Sequence, residues 1–189
     1  TKIEDYKFYG FTALEEIKVL GKISEIGDYA FYGCTALRSV DVGAGCKYIQ
    51  PDAFGECPAL VSVTLPNDLE WISSGNFYQS DLLRNVFFNG TIADWCEIDF
   101  GGRMDNGKAI TSSPLRNGTS DFYILNESGE YVEPFKINNY VTVNNGSPLS
   151  LSMRFLVIPE EVTYIGAFQF YGLQAMNNEE YTVIIEGDV

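Results

Sequence analysis

The sequence predicts an α/β solenoid of mostly short parallel β-strands joined by short helical turns, and three observations lead there. Apolar and aromatic residues recur at a constant spacing of 23 through the first 88 residues. Part of each period alternates apolar with polar, as a strand with one buried face does. No single period carries enough apolar surface to close a core alone, so copies must stack.

Five columns establish the period. Ile3, Ile26, Ile49 and Ile72 form the first, and Phe8, Phe31, Phe54 and Phe77 the second. Leu14, Leu37, Leu60 and Leu83 form the third, Ile17, Val40, Val63 and Val86 the fourth, and Val19, Val42, Leu65 and Phe88 the fifth. Within one period, Asp28-Tyr29-Ala30-Phe31 reads as a short helical turn that sends Phe31 inward. The strand follows in Leu37-x-x-Val40-x-Val42, with Ser39 and Asp41 pointing away from the core. A turn comes next, Gly43-Ala44-Gly45 in one copy and Pro66-Asn67-Asp68 in another. Stacked copies then advance by about 5 Å each, the separation of neighbouring strands.

Residues 89–150 break the column pattern and read as a β-rich insertion within the same array. Phe122–Leu125 and Glu130–Val132 flank Asn126-Glu127-Ser128-Gly129 as a hairpin would, and Tyr140–Val143 runs into the turn Asn144-Asn145-Gly146. A further repeat and a terminal strand occupy 151–189. Met153–Ile158 repeats the strand spacing, Ile165–Gly172 repeats the turn motif, and Asn177–Glu180 reads as a small insertion before a last strand at Tyr181–Ile185.

These residues resemble the BspA-like leucine-rich repeats, whose pattern I-G-x-x-A-F-x-G-C-x-x-L stands almost unaltered at Ile26–Leu37. The second half of that pattern, I-P-x-x-V-x-x-I, is met at Ile158–Ile165, and the resemblance covers about 1–95 and 150–185. Phe88–Ile98 resembles the interruption G-T-x-x-x-W-x-x-I of the same family, which implies that Trp95 and Ile98 cover the preceding repeat. The resemblance further implies a secreted or surface-anchored protein with a role in adhesion or host and cell-surface interaction.

Composition removes several alternatives. Twelve basic against 26 acidic residues give a net charge of −14, which repels phosphate backbones and argues against nucleic acid. No apolar run approaches the roughly 18 residues of a membrane span, so no membrane insertion is expected. Residues 1–20 lack the basic-then-apolar pattern of a signal peptide. Histidine is absent, which removes Ser-His-Asp and Cys-His catalysis and the common zinc sites. Neither catalytic residues nor a cofactor are expected.

The remaining candidates each have a plain structural reading. Cys34 and Cys57 stand one period apart, compatible with a disulfide, but buried free thiols are the favoured reading because small apolar residues pack well there. Cys46 falls in the column of Ile23, Leu69 and Val162, and Cys96 is not placed. Glu15-Glu16, Glu160-Glu161 and Glu179-Glu180 read as solvated surface rather than facing acids. Asp99 and Asp105-Asn106-Gly107 do not keep a calcium-loop spacing, and no metal is expected. N-x-[ST] sequons occur at Asn89, Asn117, Asn126 and Asn145, meaningful only in a eukaryotic secreted product.

Binding falls to the outward strand positions. These are Glu16 and Lys18, then Ser39, Asp41, Ser62, Thr64, Asn85, Phe87, Phe155 and Val157. A second column holds Glu25 and the aromatics Tyr48, Trp71 and Tyr164, either anchors for a partner or packing on neighbouring coils. The leading expectation is an extracellular module that binds a protein or glycan on a host or neighbouring cell surface. A structural spacer within a larger surface protein is the alternative, and a carboxylate-based hydrolase in the insertion is a third reading.

Overall fold

The computed structural model describes residues 1–105, 108–115, 121–126, 128–132, 135–138, 141–142, 148–149, 153–158, 162 and 181–185. In chain order the coils supply β1 (Lys2–Ile3), β2 (Glu16–Lys18), β3 (Glu25–Ile26), β4 (Ser39–Asp41), β5 (Tyr48–Ile49), β6 (Ser62–Pro66), β7 (Trp71–Ile72) and β8 (Asn85–Asn89). Odd and even strands build two separate parallel ladders, one on each side of the coil. In the first, Ile3 pairs with Ile26, Ile26 with Ile49, and Ile49 with Ile72. In the second, Ile17 pairs with Val40, Val40 with Val63, and Val63 with Val86. The 23-residue spacing is therefore the strand register itself.

The apolar columns stack between the ladders. Phe8 and Phe31 lie 5.0 Å apart between ring centroids, Phe31 and Phe54 5.3 Å, and Phe54 and Phe77 6.0 Å, all within 8° of parallel. Leu37, Leu60 and Leu83 are buried beside them. Phe31 and Phe54 are each covered by the ring of the coil before and the ring of the coil after, as a repeat unable to bury its own face requires.

The return path is not helical, against the expected short helical turns. Ala30 N–H donates to Gly27 O within the coil, but Tyr29, Phe31 and Gly33 N–H donate across to Pro51, Ala53 and Gly55 O. Tyr6, Phe8 and Gly10 make the same bonds to Asp28, Ala30 and Tyr32 O at 2.7–2.8 Å. The path thus forms a third ladder between coils. Left-handed residues at both its ends swing alternate N–H groups toward the next coil. Tyr6, Tyr29, Asp52 and Gly75 have φ of 57°, 54°, 53° and 83°, and Gly10, Gly33, Glu56 and Gln79 have 69°, 70°, 51° and 60°. Such backbone costs a tyrosine about 1 kcal/mol, and the bonds between coils offset that cost. A continuous helical turn would have kept these donors inside the coil.

Asn76 adjusts this ladder in the fourth coil, at the position of Ala30 and Ala53. Its side-chain oxygen accepts from Phe54 N–H at 3.0 Å, and its amide donates to Gln50 O at 2.9 Å and Ser73 O at 2.8 Å. It is fully buried with every one of these bonds internal.

Beyond residue 88 both ladders continue. Helix α1 (Ile92–Glu97) opens on a capping box between Thr91 and Asp94 and leads to β9 (Asp99–Phe100), which pairs with β7. A hairpin of β10 (Gly102–Asp105) and β11 (Lys108–Thr111) follows. β12 (Asp121–Leu125) then pairs in parallel with β8 and in antiparallel with β13 (Tyr131–Val132). Trp95 is buried against Phe88, Phe100 and Phe122 at 5.2, 5.0 and 4.5 Å, covering the fourth coil.

The later strands form their own sheets. β14 (Phe135–Asn138) is antiparallel to a strand further along, and β15 (Val141–Thr142) pairs with β16 (Pro148–Leu149). β17 (Met153–Ile158) lies between β14 and β18 (Tyr181–Ile185), with β17 and β18 parallel. Arg154 opposite Tyr181 gives a register offset of 27, and the expected insertion at Asn177–Glu180 lies outside the described residues.

Candidate partner-binding face

The outward residues of the even strands fall into two straight rows because the parallel register carries no slip. Ser39, Ser62, Asn85 and Asp121 are aligned partners in one row, and Asp41, Thr64, Phe87 and Tyr123 in the other. Their inward neighbours Val40, Val63, Val86 and Phe122 are buried, so alternation fixes the rows on the outside. Ser39, Asp41, Ser62, Thr64, Asn85 and Phe87 are all half-buried, and Glu16 and Lys18 are exposed at the open end. Lys18 Nζ lies 3.5 Å from Asp41 Oδ2, an exposed ion pair between neighbouring members of the second row.

One end of the face is aromatic. Phe87 stacks on Tyr123 at 4.9 Å and 17°, and Tyr131 leans on Phe87 at 5.0 Å and 58°. The Tyr131 hydroxyl donates to Asn89 Oδ1, which fixes the ring while 42% of the residue stays exposed. Burial, and then the nearby Asp41 carboxylate, hold that phenol above its ordinary pKa. The sequence pointed to Phe87 but not to Tyr123 or Tyr131. The alternation Phe122, Tyr123, Ile124 was the available signal, and it needed the parallel partner β8 to give it a face.

Phe155 and Val157 do not extend these rows. Both edges of β17 are taken, Phe155 opposite Lys136 and Thr182 and Val157 opposite Ile184. The strand that stacks on β8 is β12, and β17 belongs to a separate sheet with β14 and β18.

The other column runs along the odd strands, where Glu25 is opposite Tyr48 and Tyr48 opposite Trp71. Tyr48 Oη donates to Glu70 at 2.7 Å, and Lys47 Nζ meets the other Glu70 oxygen at 2.5 Å. Those two bonds hold the Glu70 carboxyl below its ordinary pKa, and its hydrogen bond raises the Tyr48 phenol. Tyr48 is thus tied into the coil, while Trp71 keeps 40% of its surface exposed. Tyr164 lies outside the described residues.

All four cysteines are free and buried. Cys34 Sγ donates to Phe8 O and Cys57 Sγ to Phe31 O, one coil back in each case. Burial pushes the Cys57 and Cys96 thiols up to about 12 and Cys46 to about 11. A recess of about 260 Å³ gathers Asp68, Glu70, Asp94 and Glu97 near Lys47. Three of its four acids are engaged: Glu70 by Lys47 and Tyr48, Asp94 in the helix cap, and Asp68 as acceptor from Gly45 N–H at 2.8 Å. No group of three or more metal-ligating side chains is assembled among the described residues. Asn106 and Gly107 lie outside them.

The family described as BspA type leucine rich repeat region (6 copies) matches residues 1–102. The chain belongs to that family. Among solved structures it is similar to a leucine rich cell surface protein from Faecalibacterium prausnitzii A2-165, at 29% identity and a TM-score of 0.48. That match covers 50% of this chain and 25% of the other. It is also similar to the leucine rich repeat protein TpLRR of T. pallidum at 26% identity and a TM-score of 0.35, over 46% of this chain and 51% of that one. The chain therefore spans about a quarter and about half of the length of these two proteins. No curated protein matches it. Among the described residues no helix is long and apolar enough to cross a membrane.

Proposed function

We propose that this chain is an extracellular or cell-surface binding module that uses the outward face of its even strands to hold a protein or glycan on another surface, in the manner of an adhesin. The observation that carries this reading is the pair of aligned outward rows ending in the Phe87, Tyr123 and Tyr131 cluster. A regular, rigid face with polar groups along it and aromatic rings at one end supplies broad contact and a local anchor. Placement at the surface is supported by family membership. The division into repeats at 1–88, an insertion at 89–150 and a further repeat at 151–189 belongs to the same proposal, with β9 and β12 as the parts of the middle stretch that extend the ladders.

The test is adhesion of the labelled chain to intact epithelial and bacterial cells by flow cytometry. Wild type is expected to bind, Tyr9→Ala on the return path to bind equally, and a Phe87→Ser/Tyr131→Ser variant to lose most of the signal with its far-UV circular dichroism unchanged. Equal binding by the double variant, or no binding by wild type to any cell, overturns the proposal. The spacer reading is favoured by one observation, the three backbone ladders that tie each coil to the next. It predicts a stiff element whose partner binding resides wholly in neighbouring domains.

A further inference from the structure

We propose that the partner held on this face is a neutral oligosaccharide, bound along the row Ser39, Ser62, Asn85 with its end seated on Phe87 and Tyr131. The inference rests on the binding-face reading above and narrows it to one ligand chemistry. Although the chain carries −14 overall, Ser39, Ser62, Thr64 and Asn85 in the middle of this face carry no charge, and the row they form is acidic only at its ends, at Glu16 and Asp121. Asp41 is matched by Lys18 at 3.5 Å, and Ser39, Ser62, Thr64 and Asn85 offer hydroxyls and an amide. Such groups donate and accept at the same point. A ligand covered in hydroxyls, each also donor and acceptor, satisfies them without bringing a charge that the face leaves unmatched.

Geometry points the same way. The rows advance by one strand spacing per coil, about 4.8 Å, close to the length of one pyranose unit in a chain. One hydroxyl or amide per sugar ring follows. At the end of the rows the axial C–H face of a pyranose matches a flat aromatic ring. Tyr131 is held by its bond to Asn89 and its contact with Phe87, so little motion is lost when a sugar settles there. A protein partner would instead call for a central apolar patch sealed from water. Here the apolar groups stand at one end and the centre is hydroxylic. The acidic surface rejects sulfated or uronic chains.

The experiment is a printed panel of neutral hexose and N-acetylhexosamine oligosaccharides beside sialylated and sulfated ones, probed with the full chain. The strongest neutral member is then titrated by calorimetry. Neutral chains are expected to bind and anionic ones not. Tyr131→Ala and Phe87→Leu, the latter keeping apolar packing, are each expected to weaken binding at least about tenfold, the loss of one anchor ring. Asn85→Ala should weaken it less, and Tyr9→Ala should leave it unchanged. Binding of anionic glycans alone, or neutral binding untouched by Tyr131→Ala and Phe87→Leu, overturns the inference. If no glycan binds while cell adhesion still depends on Phe87 and Tyr131, the occupant is a polypeptide: the inference falls and the binding-face reading stands. If adhesion is equally untouched, both fall.

Discussion

Removing one ring from the middle of the phenylalanine stack tests the architecture most directly. Phe54 has no exposed surface and parallel rings on both sides, at 5.3 and 6.0 Å. Phe8 at the start of the stack is half-buried, with one parallel neighbour at 5.0 Å. Truncating a buried Phe to Ala costs about 3–5 kcal/mol, and Phe54 belongs near the middle, about 4 kcal/mol. Phe8→Ala removes roughly half the buried surface and one stacked pair, for about 2 kcal/mol. The difference, about 2 kcal/mol, is a midpoint lower by about 1 M urea for an ordinary slope. Urea titration followed by circular dichroism and tryptophan fluorescence measures it. Because about 4 kcal/mol is a large part of a domain's stability, Phe54→Leu provides a milder variant at about 1.5 kcal/mol or less. An equal loss for Phe8→Ala and Phe54→Ala would refute the claim that coils stabilise one another through this column.

Three further outcomes are expected. Asn76→Ala strands Phe54 N–H and removes the donors to Gln50 O and Ser73 O; a loss of about 3 kcal/mol is expected, read by the same titration, and a neutral result would mean the bonds are dispensable. Glu70 has a folded pKa below 4.5, so its contribution is present above that value and is lost as pH falls through the folded pKa. The melting temperature of wild type should then drop further between about pH 5 and about pH 3 than that of Glu70→Gln, and parallel pH profiles would contradict it. Ellman's reagent should find no fast thiol in the native chain at neutral pH and four after denaturation, because all four cysteines are buried and free; fewer than four would mean a bridge.

The repeat was legible because its register is constant. Ile26, Phe31, Leu37 and Val40 each meet a like residue 23 positions away, and that regularity survives any uncertainty about local conformation. The return path was misread because Asp28-Tyr29-Ala30-Phe31 carries helix-compatible residues, while its conformation is decided by bonds to the next coil. Local propensity loses to a ladder that sequence alone does not display. The continuation of the ladders beyond residue 88 was not legible for a different reason. Asp99 follows its partner Trp71 by 28 and Asp121 follows Asn85 by 36, so the two ladders resume at unequal offsets and no single period finds both. The hairpin at Asn126–Gly129 was visible because its turn chemistry is local: Asn126 Oδ1 accepts from Ser128 and Glu130 N–H at 3.0 and 2.9 Å.

Those unequal offsets also show how the face tolerates insertion. Extra residues are accommodated in α1 and in the β10–β11 hairpin, both between strands, so β12 still enters the ladder with Phe122 opposite Val86. A single residue added inside a strand would instead turn Phe87 inward and Val86 outward, because side chains alternate every residue. The core columns and the outward rows therefore stand or fall together. Each coil that buries its Val or Phe correctly necessarily presents its Ser, Asn or aromatic residue to the outside. Varying an outward residue leaves the neighbouring inward column in place, so the face can change chemistry from Ser39 to Phe87 across three strands without disturbing the stack beneath it.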